Sequence, residues 1–420
     1  MKKCMAIAML TVREAFRSRI MLSFALAVAL SVILVPLTIK NDGTPEGRIR
    51  VALQYSLTLV SWLLAVATVW AACRSASLDI EERQVHLVVT KPVRRAHIWL
   101  GKWIGILIMD AILLAGAGIL DYVVLQYVAR PGRSGSSGQD NIVTEKILTA
   151  RRAILPRPDE KAANTVSPGS SRQWQFSMPR NLPPDKPFYV RFELSSPRQL
   201  ELEPLAVRWL VGRDDKPFAY EAPVYAGEFH SFPVPASAIP EDGKLTLTYV
   251  NAQTAPPAIV SFDAADSVML LARAGSFEGN LCRAILIVFC KLAPLAALGV
   301  AAGCLLSMPV ACFAAYAVVV VFMFGGFIRT ASTDPNIALY RPIPTITRFD
   351  SLFRMQFRVF NTVVSPVQQF EVLESLPRGE LIPWSMAGKA LVVLVLVYSG
   401  IPAVIGIALF KRRELGLPPD

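Results

Sequence analysis

Apolar positions along the chain form long unbroken runs near both ends and short alternating runs in between. A hydrocarbon core of roughly 30 Å needs about 20 mostly apolar residues in a helix rising about 1.5 Å per residue. Runs of that kind lie at about 20–39, 51–73, 103–128 and 386–410. A fifth, 281–328, is 48 residues long, too much for one crossing. It breaks at Leu306-Ser307-Met308-Pro309, giving two spans joined by a tight turn. The pattern predicts six transmembrane helices. Basic residues precede the first run, as in a secretory leader. Its apolar stretch exceeds the usual 7–15 residues or so, and no convincing small-residue cleavage site follows, so it reads as a retained span.

Between the third and fourth runs the pattern changes. Residues 129–280 hold 17 of the 31 prolines and none of the six cysteines. The segment opens on Arg130-Pro-Gly-Arg-Ser-Gly-Ser-Ser-Gly138, a flexible tether. A short amphipathic helix is expected at about 142–153, with Ile142, Ile147 and Leu148 on one side. Short alternating runs then follow at 173–177, 188–194, 206–211, 228–234, 244–250, 258–262 and 267–272, each bounded by Pro, Gly, Asp or Asn. About seven such strands predict an inserted all-β sandwich of jelly-roll type. Trp174, Trp209, Tyr220, Tyr225 and Tyr249 could form a glycan platform there, although core packing is the more ordinary use of such residues. His230 reads as structural.

Composition fits this division. Hydrophobic residues make up 53% and charged residues 18%, against about 25% charged in a typical soluble domain. The net charge of +11 would ordinarily point to nucleic acid. Sorted by segment, it does not. Residues 1–19, 74–102 and 411–420 together carry 14 bases and six acids, a net +8, whereas 129–280 carries 17 of each. Six spans put all three basic segments on one side, which the positive-inside rule makes cytoplasmic. The expected protein sits in a bacterial inner membrane with both termini cytoplasmic and the β domain outside. No nucleic-acid partner is expected. The segment 329–385 is less orderly, with seven bases and five acids across 329–389 on the outer side. Within it, Phe349, Leu352, Phe353, Phe357 and Phe360 alternate with Arg348, Arg354 and Arg358 at helical spacing, predicting an interfacial amphipathic helix. The organisation is therefore 1–128 (three spans and a cytoplasmic loop), 129–280 (the β domain) and 281–420 (three spans).

The loop 74–102 carries an acidic turn (Asp79, Glu81, Glu82), Arg83, a short apolar run, then Lys91-Pro92, Arg94-Arg95 and Gly101-Lys102. Pro92 ends any helix there and leaves a compact charged corner suited to a soluble partner, or simply a solvated loop. In this order of features, in the elbow-like Leu10-Thr-Val-Arg-Glu-Ala-Phe-Arg-Ser-Arg19 and in the closing Phe410-Lys-Arg-Arg-Glu414, the chain resembles permease subunits of export-type (type 2) ABC transporters. The likeness covers the membrane parts, about two-thirds of the chain. The β insert resembles the larger members of that group. The resemblance implies a dimer, or a pair with a similar half. It also implies that Asp79, Glu81, Glu82, Arg83, Lys91, Pro92, Arg94 and Arg95 form a coupling element on a separate ABC ATPase.

No Gly-x-x-x-x-Gly-Lys-Ser/Thr phosphate loop occurs, so ATP and magnesium belong to that partner and no cofactor is expected here. No nucleophile–base set stands out among three histidines, so an enzyme is not expected. Asp110, Asp121 and Lys291 fall inside predicted spans, where charge is costly and often functional. The two acids are 11 residues apart and share a helix face. Asp110 is expected to pair with Lys291 or line a polar path; helix–helix glue is the plainer reading. Gly101-x-x-x-Gly105 and Gly299-x-x-x-Gly303 read as close-packing signals. The alternative function is a membrane-anchored scaffold whose sandwich holds a glycan or an envelope protein.

Overall fold

The computed structural model describes residues 2–38, 45–81, 94–128, 148–157, 164–178, 188–196, 204–212, 217–238, 243–252, 258–262, 267–325 and 348–412. The chain divides into two units. A helical unit comprises Met1–Ile147, Glu278–Arg378 and Ile382–Asp420, and a β unit comprises Leu148–Phe277 with Gly379–Leu381.

The helical unit contains α1 (Lys2–Arg17), α2 (Arg19–Thr38), α3 (Pro45–Glu81), α4 (Arg95–Val128), α5 (Phe277–Leu305), α6 (Met308–Met323), α7 (Arg348–Gln368) and α8 (Trp384–Ala390). A π-helical stretch, Leu391–Tyr398, joins α8 to α9 (Ser399–Arg412). Among the described residues, five stretches are long and apolar enough to cross a membrane: Arg19–Pro36, Ile49–Leu78, Arg95–Tyr127, Phe277–Leu305 and Trp384–Lys411. The protein is membrane-embedded. Leu26, Leu30 and Leu34 of α2 and Val404 and Ile405 of α9 are exposed, the pattern that helices facing lipid show.

Of the six expected spans, five have that length. The sixth, α6, is apolar but has 16 residues, about 24 Å of helix, so its length falls short of the hydrocarbon core. The break before it falls where expected. Ser307 is extended (φ −65°, ψ 152°), and Pro309 stands in the first turn, where its missing N–H costs nothing.

Among the described residues the β unit has ten strands: β1 (Thr149–Ile154), β2 (Thr165–Val166), β3 (Ser171–Ser177), β4 (Phe188–Glu193), β5 (Leu205–Val211), β6 (Phe218–Val224), β7 (Phe229–Val234), β8 (Lys244–Val250), β9 (Val260–Ser261) and β10 (Val268–Ser276). They form antiparallel sheets in the orders β1-β10-β4-β7 and β3-β8-β5-β6, with β2 paired to β9. The two four-stranded sheets share one core. Phe192 and Phe232 of one sheet meet Trp209 of the other at ring distances of 4.9 and 6.4 Å, and Tyr249 and Trp174 close around it. Alternation explains the layering: in β5 the residues Leu205, Val207, Trp209 and Val211 are buried while Ala206 and Arg208 are exposed.

All seven expected strands are present. Three more, β1, β2 and β6, were not expected. β1 corrects the helix at 142–153, whose first part lies outside the described residues. Thr149–Ile154 pairs with β10 instead, through a bulge between Ala150 and Arg151. Leu270 and Leu271 of β10 are both buried, so this strand is covered on both faces, and pairing it overrides the weak helical period of 142–153. β6 alternates in burial, but Pro223 in its sequence hid it; as the outer strand of its sheet it tolerates the missing donor.

Candidate functional site

The residues singled out from the helical unit fall at the α3–α4 connection and at the seam between those helices, apart from Lys291 on α5.

At the connection, Asp79 and Glu81 belong to the last turn of α3. Glu82, Arg83, Lys91 and Pro92 lie outside the described residues. Arg94 is exposed, immediately before α4. Arg95 is committed within the chain. Its Nη1 donates to the carbonyls of Phe410 and Lys411, each at 2.8 Å, and its guanidinium lies 5.9 Å from the Phe410 ring. A cation on the last carbonyls of α9 satisfies acceptors that the helix itself leaves open. Lys102 is also spent internally: it is buried, and its Nζ donates to the Ser75 carbonyl on α3.

The α1 helix lies on the start of α4 because two glycines let it. A Cβ on Gly101 would stand 2.7 Å from Cβ of Ile7, and one on Gly105 would stand 2.7 Å from both the Ala8 carbonyl and Cβ of Thr11. Gly299 and Gly303 serve α5 in the same way, against Ala72, Cys73 and Ala76 of α3. Both Gly-x-x-x-Gly pairs are close helix contacts. α1 buries Ala8, Thr11 and Val12 and exposes Met5, Met9 and Leu10 together with Lys2, Lys3 and Arg13, so the side turned from the bundle mixes apolar and charged groups.

Along the seam, Asp110 and Asp121 of α4 are buried. Each meets a hydroxyl of α3: Thr68 Oγ1 is 2.9 Å from Asp110 Oδ1, and Ser56 Oγ is 2.7 Å from Asp121 Oδ1. The pairs run in opposite chain directions, as antiparallel neighbours require. Both hydroxyls also reach their own helix, Thr68 to the Leu64 carbonyl at 2.7 Å and Ser56 to that of Leu53 at 3.3 Å. The Oδ2 atoms of both carboxyls are buried without a hydrogen-bond partner among the described residues. The expected Asp110–Lys291 pair is not formed. Lys291 instead bonds Glu371 at 3.1 Å, on the chain just after α7. Thr68 and Ser56 were missed because one hydroxyl in a long apolar run carries no distinguishing signal.

In the β unit, Trp209, Tyr249 and Trp174 are buried, and Tyr220 stacks on Phe232 at 4.1 Å. Burial raises the phenol pKa of both Tyr249 and Tyr220. Of the five aromatics considered for glycan binding, only Tyr225 is largely exposed. His230 is bonded through Nε2 to the Tyr225 carbonyl at 2.8 Å, a structural use. Among the described residues, no group of three or more His, Cys, Asp or Glu side chains could hold a metal ion. Compared with known proteins, the sequence matches no family model and no curated protein.

Proposed function

We propose that the chain is the membrane permease subunit of an export-type ABC transporter, working as a dimer or with a similar half and driven by a separate ATPase that binds ATP and magnesium. The observation that carries this reading is the pairing of α1 with the start of α4 at Gly101 and Gly105, the helix that follows the charged loop in sequence. An amphipathic helix held there is an elbow, and the connection it flanks is the coupling element. With Arg95 and Lys102 engaged inside the bundle, the exposed Arg94 and the acids Asp79, Glu81 and Glu82 are the groups that meet the ATPase.

The same reading supplies the topology. α6 is the fifth of six crossings. The basic segments face the cytoplasm of a bacterial cell, and the β unit lies outside. The β unit is a jelly roll, a reading supported by the strand orders of its two four-stranded sheets. The aromatic burial in this unit argues against the scaffold alternative in its glycan-binding form. The test is co-purification with the Walker-motif ATPase encoded nearest to this gene. Wild-type protein retains it, and the triple variant Glu81→Ala, Glu82→Ala, Arg94→Ala loses it while keeping its helix content. Undiminished ATPase retention by the variant would overturn the coupling assignment.

A further inference from the structure

The helical unit contains a cavity of about 330 Å³ bounded by α1, α2, α3 and α4. Its walls are of two kinds. Met21, Ala71 and Ile106 are buried apolar residues, whereas Arg17 is exposed and Arg74 half-buried. The Arg74 guanidinium lies 5.4 Å from the centre of the Trp70 ring, which also lines the cavity, so its planar group is held in place. Ser75 lines the cavity too, and the buried ammonium of Lys102 donates to its carbonyl. Against the two guanidiniums of the lining stands one acid, Glu14.

The cavity has a definite level along the spans. Arg17 and Met21 flank the first residue of the span Arg19–Pro36, and Arg74 and Ser75 lie in the last turns of the span Ile49–Leu78. Both mark one boundary of the membrane, the depth of lipid headgroups. A ligand here needs a negative charge for the guanidiniums and an apolar part for the floor. Arginine presents a planar fork of donors that matches a phosphate's oxygens.

We propose that this cavity binds the phosphodiester headgroup of an anionic phospholipid, with Arg17 and Arg74 on the phosphate and Trp70 against the glycerol and upper acyl region. Such a lipid seats α1 against α3 and α4 at the membrane surface. The inference rests on membrane placement alone and stands or falls independently of the transporter reading.

The test uses full-length protein, purified and delipidated, with native mass spectrometry after addition of phosphatidylglycerol, phosphatidylcholine or inorganic phosphate. The wild type is expected to retain phosphatidylglycerol about tenfold more than phosphatidylcholine, the scale of one charge-assisted contact. Arg17→Gln with Arg74→Gln removes that preference, while Arg13→Gln, on the same helix but outside the lining, leaves it. Should the double variant not fold, Arg17→Gln alone decides, because Arg17 is exposed and its replacement disturbs no core. Equal retention of the two lipids by the wild type overturns the proposal, as does an unchanged preference in the variants. Displacement of phosphatidylglycerol by millimolar inorganic phosphate also overturns it, assigning the cavity to a soluble phosphate instead.

Discussion

Arg191 on β4 and Glu380, 189 residues further along the chain, form an ion pair at 2.5 Å in which the Arg191 side chain is only 5% exposed. The guanidinium also lies 4.8 Å from the Phe229 ring. Beside the pair, the Arg151 N–H donates to the Gly379 carbonyl at 2.8 Å and the Leu381 N–H to the Arg151 carbonyl at 2.7 Å. Three residues that follow α7 thus extend the edge of β1 and neutralise a buried cation on β4. The β unit is not closed by the continuous segment between the third and fourth apolar runs.

Removing one member of a largely buried pair leaves the other charge without compensation. Glu380→Ala should therefore destabilise the β unit by about 3 kcal/mol or more. Arg191→Leu combined with Glu380→Leu should recover much of that loss. Chemical unfolding of the full chain, followed by tryptophan fluorescence, measures both. Equal stability of Glu380→Ala and wild type would contradict the role given to the pair. By the same argument, a fragment of 148–277 alone should be less stable than one to which 379–381 is restored.

Trp209 is fully buried and touches Trp174, Phe192, Phe232, Tyr249 and Phe262. Trp209→Ala should cost about 3–5 kcal/mol and abolish the near-ultraviolet dichroism of the aromatic cluster. Tyr225→Ala, at an exposed position, should change stability by less than about 0.5 kcal/mol.

The seam between α3 and α4 should respond asymmetrically. Asp110→Asn keeps an oxygen facing the Thr68 hydroxyl and should leave helix association nearly intact. Thr68→Val leaves the buried carboxyl without its partner and should destabilise by about 1–3 kcal/mol. Unfolding of the protein in mixed micelles at increasing SDS fraction distinguishes the two. A Thr68→Val protein as stable as Asp110→Asn would remove the hydroxyl from the argument.

Gly101→Leu and Gly105→Leu should displace α1 from α4, because each new side chain falls on Ile7 or on Ala8 and Thr11. The expected sign is faster proteolysis within 2–17 with the later helices unaffected. Protection equal to wild type would show that α1 is held by other means.

If the basic segments face the cytoplasm, a cysteine at Arg94 in a cysteine-free background should react with a membrane-impermeant maleimide only after the cells are opened. One at Tyr225 should react in intact cells with a permeable outer envelope. The reverse pattern would invert the orientation taken from the charges.

The sequence alone determined the division into apolar helices and a β unit, because each rests on a local period: unbroken apolar runs for helices in lipid, alternation for half-buried strands. It also marked the break at Leu306–Pro309, the seven clearest strands and the glycine pairs, all of which are nearest-neighbour chemistry. The tertiary structure decided what depends on distant partners. β1 is a strand because β10 needs a neighbour, and Lys291 faces Glu371 rather than Asp110. Arg95, which reads as a docking residue, caps α9. Gly379–Leu381 belong to a sheet whose other strands end about a hundred residues earlier. A residue's own neighbours in sequence set its period and propensity, whereas a buried charge takes its partner from whichever helix or strand the fold brings alongside.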